Sequence, residues 1–267
     1  MRRLYIPILF ILFLFTACEF KLKPNEEADA PLSVKVQRYD RLECRYLTTG
    51  DYSALQQMST DFPRETRTLI EDMLQLGEVN DSHIYERFLN FYQDTTLQVI
   101  IADVEQQFAD MEDINKTLSQ AFSRLEKWLP DFEYPVVYTQ VGALNQSIVV
   151  GDHLIGISLD KYLGADYPAY AQFYEESQRQ TMQRSNIVPD CLVFYLLSLY
   201  PLNNFDSRTQ EETDLHMGKV MWVANQSIGS RTFDTPDVKT VDSYMRKHPK
   251  TTILELLNYQ PIKIKSK

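Results

Sequence analysis

Apolar residues recur along this chain in two rhythms, and the switch between them divides it into a helical half and a small β region. Val34 to Tyr39 alternates apolar and polar residues, which predicts a short strand. Asp61, Pro63 and Glu65 then mark a helix start, with Leu69, Ile70, Met73 and Leu74 at helical spacing and Gly77 ending the run. Ser82 opens a second helix bearing Ile84, Tyr85, Phe88 and Phe91. Thr95 with Gln98 reads as a capping box, and Leu97, Ile101, Val104 and Phe108 line the helix it starts. Leu118, Ala121, Phe122, Leu125 and Leu129 line another, which Pro130 and Pro135 stop. Such stripes are the core faces of amphipathic helices.

The period then changes. Tyr134 to Tyr138 is rich in β-branched and aromatic residues. Ser147 to Val150 and Leu154 to Leu159 flank Gly151-Asp152 and read as a hairpin. Three strands make a small sheet that needs helices to cover it. Gly164 permits a tight exit, and Asp166 with Pro168 predicts a capped helix running to about Arg184. Pro189 starts another, with Leu192, Val193, Leu196, Leu197 and Leu199. Being apolar nearly all round, it is expected to be the central buried helix, and Pro201 ends it. Ser207 with Gln210 predicts a capped helix to about Ala224. Thr235-Pro236 starts a short helix carrying Val238, Val241 and Met245, and Thr252 with Glu255 caps the last. The fold class expected is α+β, mostly helical, with a small hairpin-containing sheet packed against helices.

The first residues follow neither rhythm. Arg2 and Arg3 precede an apolar stretch from Leu4 to Phe15, then Thr16, Ala17 and Cys18. Twelve apolar residues are too few to cross a bilayer as a helix, which takes about 20. The pattern is that of a signal peptide, and Thr-Ala-Cys looks like a lipobox in which Cys18 becomes an acylated N-terminus. A plain secretory signal is the alternative. The expected organisation is a signal peptide over 1–17, a flexible tether over 18–33 and one α+β domain over 34–267. Two or three acyl chains on one residue suffice for stable membrane attachment. The tether holds two prolines and an acidic run, and as a coil of ~15 residues it would span roughly 20 Å. No clear surface-export signal follows Cys18. The expected location is therefore the outer membrane facing the periplasm, with cell-surface exposure as the alternative.

Charge and composition narrow the function. The chain has 27 Lys+Arg against 37 Asp+Glu, net −10, so it lacks the basic footprint of a nucleic-acid binder. Loss of Arg2 and Arg3 leaves 25 basic residues and a net charge of −12, so attachment to an anionic surface falls to the lipid. At 44% hydrophobic residues the chain is too apolar to be disordered as a whole. Cys44 and Cys191 could pair across a long loop or stand apart as buried thiols; the latter is favoured. The four histidines, His83, His153, His216 and His248, are scattered, so no helical zinc pair exists. His153 reads as a solvated turn residue and His248 as a helix C-terminal residue. There is no G-x-S-x-G elbow, P-loop or G-x-G-x-x-G, so neither a hydrolase nucleophile nor a nucleotide cofactor is indicated. The densest polar-aromatic cluster is Asp160, Tyr162, Asp166, Tyr167 and Tyr170. With Gly164 it is either a recognition loop or a capped turn with half-buried tyrosines.

Several segments together resemble the gliding-motility-associated lipoprotein GldB family of the Bacteroidota. They are QRYDRLE (37–43), DFPRETRTLIEDMLQLG (61–77), NFYQDTTLQVIIADVEQQFADM (90–111), LSQAFSRLEKWLPDFEYPVVYT (118–139), VVGDHLIGISLDKYLGADYPAY (149–170) and MRKHPKTTILELL (245–257). The L-D-x-Y-L-G-x-D element is the most specific of these. The sequence departs from the family pattern after LHMGKVMWVANQ (215–226), where a further helical stretch is usual. The resemblance implies a remote similarity to zincin-type metallopeptidases, whose helix after the sheet bears HExxH. The corresponding stretch, 186–201, has no histidine and offers only Asp190 and Cys191. The implied protein is a zincin-like scaffold without its metal or any cofactor, lipid-anchored and non-catalytic. It would serve gliding machinery or a related envelope complex through envelope protein partners. A diverged hydrolase and a peptide- or glycan-binding lipoprotein are the alternatives.

Overall fold

The structure is a computed structural model that describes residues 33–258. The signal peptide, Cys18 and all but the last residue of the tether lie outside the described residues. Three strands form a sheet of order β1-β3-β2: β1 (Val136–Gln140), β2 (Ile148–Gly151) and β3 (Leu154–Ser158). The hairpin β2-β3 is antiparallel, as expected from Gly151-Asp152, and β1 pairs with β3 in parallel. Every residue of β3 is buried, so both faces of the central strand are covered. That is why its run Leu-Ile-Gly-Ile-Ser does not alternate with charge.

Helices supply the cover. They are α1 (Tyr39–Thr49), α2 (Tyr52–Asp61), α3 (Pro63–Arg67), α4 (Ile84–Phe91), α5 (Thr95–Gln107) and α6 (Glu112–Trp128) before the sheet. After it come α7 (Glu176–Arg179), α8 (Ile187–Leu199), α9 (Gln210–Ile228), α10 (Pro236–Lys247) and α11 (Ile253–Asn258). The predicted stripes point inward: Ile101, Val104 and Phe108, then Leu118, Ala121, Phe122, Leu125 and Leu129, are all buried in one connected core. The expected class, mostly helical with a small sheet, is what the chain forms.

Several local expectations are corrected. The strand over 34–39 is reduced to one bridge, Gln37 to Tyr138, because α1 starts at Tyr39. The backbone of the two inward valines is met by α6 side chains instead: Val34 N–H donates to Ser119 Oγ and Val36 N–H to Asn115 Oδ1, both at 2.9 Å. The helix of 61–77 continues from α3 into a π-helical turn, Thr68–Met73, and stops there. Asp94, not Thr95, caps α5, and Gln98 turns away to donate to the Tyr92 carbonyl at 2.7 Å. Thr209 with Glu212, not Ser207 with Gln210, makes the capping box of α9. Two acceptors stood near each of these starts, and the register of the buried stripe decides between them.

The largest correction is the helix predicted from Asp166 to Arg184. The segment breaks into a 3-10 turn (Pro168–Gln172), the four-residue α7 and a second 3-10 turn (Arg184–Asn186). Asp166 is exposed and caps nothing; Tyr167 holds the cap position. Beyond Tyr174 the segment has no apolar stripe to bury, and Leu163 bridges back to Gln183 instead. Arg184 then ties it down, donating to Asp113 at 2.6 and 2.9 Å and to the carbonyls of Gln107 and Asp110. The apolar helix α8 packs on β2, β3 and α6, but Phe194 and Leu199 on its outer side are exposed. The helix touching most of its helical neighbours is α9, which meets α6, α8, α10 and α11. At Gly218 of α9 the α10 backbone comes so close that a Cβ would lie 2.6 Å from the Asp237 Cβ.

Candidate functional site

The segment after β3 receives the predicted site residues in separate environments. Asp160 sits in a 3-10 turn (Leu159–Lys161) with no exposed surface. Its carboxylate accepts the Gly142 N–H at 2.7 Å and the Leu144 N–H. It thereby holds the chain leaving β1, where Ala143 (φ 50°) and Leu144 (φ 60°) adopt the left-handed conformation that side chains disfavour. Tyr162 points into the fold and donates to Asp190 of α8 at 2.9 Å. Gly164 exits at φ 122°, a conformation that favours glycine.

The remaining tyrosines of this segment are also used internally. Tyr170 donates to the Asp160 carbonyl and accepts the Leu163 N–H. Tyr167 donates to Asp103 of α5 at 2.7 Å. Tyr174 donates to the Leu144 carbonyl and accepts from Lys161, whose ammonium also lies 4.2 Å from the centre of its ring. The cluster splices 159–174 onto α5, α8 and the β1-β2 connection. In this arrangement these side chains fasten the segment to its neighbours.

Two acids that the sequence did not single out complete the cluster. Asp40 and Glu43 of α1 are fully buried. Asp40 takes two bonds from Arg38, at 2.7 and 2.8 Å, and the Thr139 hydroxyl. Glu43 Oε2 accepts the Val141 N–H at 2.8 Å, while Oε1 has no partner. Tyr92 donates to the Val141 carbonyl. Three carboxylates therefore grip one short run, Thr139 to Leu144, at the end of β1. The signal was present: Asp40, Glu43, Cys44 and Leu47 lie on one helical face, acids on a buried stripe. It was hidden because a strand was expected up to Tyr39.

Burial raises the Glu43 carboxyl well above its ordinary value, and the neighbouring Asp160 and Asp40 push the same way against the Val141 bond. Burial also raises Asp160, opposed by the Leu144 and Gly142 N–H groups. A carboxyl with a raised folded value contributes stability that is fully present below its unfolded value and lost as pH rises through the folded one. Glu43→Gln keeps an acceptor for Val141 and removes that loss. The variant should match the parent at pH 4 and exceed its melting temperature at pH 8 by roughly 2–4 °C, the shift of about 1 kcal/mol in a domain this size. A gap that does not widen with pH would contradict this account.

The other candidates lie apart. His153 is in the hairpin turn at φ 51°, half-exposed, 3.2 Å from Glu133 and 3.4 Å from Asp152. His248 ends α10, with its ring stacked on Tyr244 at 4.2 Å. His216 is buried in α9, where burial pushes its pKa down. Cys44 and Cys191 are both buried and free, so the pairing alternative falls. Burial raises both thiols, which makes them poor nucleophiles. Among the described residues no three His, Cys, Asp or Glu side chains are grouped to hold a metal ion, and no helix is long and apolar enough to cross a membrane.

A family model described as gliding motility protein GldB matches residues 20–233. The chain belongs to the GldB family. The match starts two residues after Cys18 and ends in the loop before α10, so α10 and α11 lie beyond it. That end falls close to the departure from the family pattern after 226. No curated protein and no solved structure matches the chain. The zincin relationship therefore finds no support. Within this GldB-family chain the stretch 186–201 is occupied by α8, and its Asp190 is engaged by Tyr162.

Proposed function

We propose that the protein is a non-catalytic lipoprotein of the cell envelope, an accessory or structural component of gliding machinery or a related envelope complex. It is anchored through acylated Cys18, in the outer membrane and facing the periplasm. The family match supports the setting. The observation that carries the non-catalytic reading is the use of Asp160, Tyr162, Tyr167, Tyr170 and Tyr174 as internal fastenings. An acid with no solvent exposure, committed to two backbone N–H groups, is placed to hold a loop rather than to move a substrate proton.

The test is fractionation and affinity capture from crosslinked envelopes of the producing cell. The parent should partition with membranes and capture a reproducible set of envelope proteins. Cys18→Ser should release it to the soluble fraction and lose that set. Retention of Cys18→Ser on membranes, or capture of bulk lipoproteins alone, would defeat the proposal. Stoichiometric zinc in the purified protein would defeat its non-catalytic part.

A further inference from the structure

A cleft of about 310 Å³ opens between one face of the sheet and the π-helical turn Thr68–Met73. The strand register places Tyr138, Gly156 and Val149 side by side on this face. The Tyr138 ring lies across Gly156, where a Cβ would come within 2.5 Å of its hydroxyl. Glycine at 156 thus leaves the room that the ring occupies at the cleft wall. Met73, Val149, Val150 and Leu154 make the cleft apolar.

The frame is laced at both ends. Arg64 of α3 donates to the Asp152 carbonyl in the hairpin turn at 2.7 Å. Asn145, in the β1-β2 connection, donates to the Met73 carbonyl at 2.8 Å. The cleft is therefore held open by fixed walls, and π-helical turns recur at functional sites. Its volume is at the lower end of the range for ligand pockets.

The polar groups of the lining are uncommitted. The Tyr138 hydroxyl is fully buried and has no hydrogen-bond partner. Asp72 and Gln146 are exposed at the cleft and make no side-chain bond within the described residues. Asp72 is the only charged residue in the lining, so the cleft suits a cation and not an anion. β2 pairs only with β3, which leaves its other edge without a strand partner among the described residues.

We propose that this cleft binds an extended peptide segment of a partner protein in which aliphatic and basic residues alternate. The aliphatic residue lies against Met73, Val149 and Leu154. A lysine or arginine meets Asp72. Alternation is what an extended chain needs to present the two chemistries to opposite sides. The proposal rests on the cleft alone and stands or falls independently of the envelope role.

The experiment is fluorescence anisotropy on the purified mature chain in detergent, with a labelled Ile-Lys-Ile-Lys peptide and a matched Ile-Glu-Ile-Glu peptide. The basic peptide should bind saturably and the acidic one should not. Asp72→Asn should weaken binding about two- to fivefold, the worth of one exposed ion pair. Val149→Trp should fill the cleft and abolish binding. Should that variant fail to fold, exposed Asp72 still carries the test. No saturable binding, equal binding of both peptides, or full affinity in Asp72→Asn would overturn the proposal.

Discussion

Replacing Asp160 with alanine lowers the stability of this protein by about 3–5 kcal/mol, one of the larger losses a single polar residue can cause. The substitution strips the acceptor from two N–H groups, those of Gly142 and Leu144, at a place closed to water. Each buried donor left unpaired costs roughly 1–3 kcal/mol. The left-handed backbone at Ala143 and Leu144 then loses the bonds that hold it. Asp160→Asn retains one acceptor oxygen, turns an amide donor toward the other N–H, and should cost about half as much. Urea unfolding at pH 7 measures both. A recognition residue would behave in the opposite way, giving an unchanged midpoint and a lost ligand. A loss below about 1 kcal/mol for the alanine variant would return Asp160 to that role.

Gly218→Ala comes next, and its sign is the informative part. Within an exposed helix the change stabilises by roughly 1 kcal/mol, because alanine is the better helix former. Here the new methyl would stand 2.6 Å from the Asp237 Cβ and 2.9 Å from the Asp237 backbone carbonyl carbon. Asp237 is in the first turn of α10, fixed by Pro236 before it and by the Thr235 cap on Val238. No flexible side-chain end is available to yield, so α10 has to move off α9. Overpacking of this kind costs about 1–3 kcal/mol, which lowers the melting temperature by roughly 4–8 °C at the middle of that range. A rise in melting temperature would show that the two helices are not locked at this point.

Elements with a strong apolar stripe could be read directly from the sequence. The stripe from Leu118 to Leu129 and the stop at Pro130 locate α6, which ends at Trp128. Thr235-Pro236 and the Thr252–Glu255 box locate the last two helices. The hairpin was legible because its partners are neighbours in sequence. The parallel pairing of β1 with β3 was not, since nothing local says which strand lies in the middle. The helix expected after Asp166 failed for a related reason: cap and proline signals start a helix, but only a buried face sustains one. At the site, Asp160 and Tyr162 stand out by residue type, yet residue type alone does not tell whether a carboxylate faces water or backbone. Asp40 and Glu43 do not stand out in the sequence because the β1 groups they hold, Thr139 and Val141, lie about a hundred residues downstream.

That separation orders the birth of the fold. A ribosome delivers α1 long before β1, so Glu43 is made well ahead of the Val141 N–H that justifies its burial, whereas Asp40 arrives with Arg38 beside it. Until Val141 emerges, the apolar face of α1 carries one unpaired carboxylate, Glu43, that favours water. Closing so long a loop is entropically costly and slows assembly. The first half of the chain, for all its helices, is thereby kept from settling into a finished core of its own, and completion waits for the strand that neutralises the misfit.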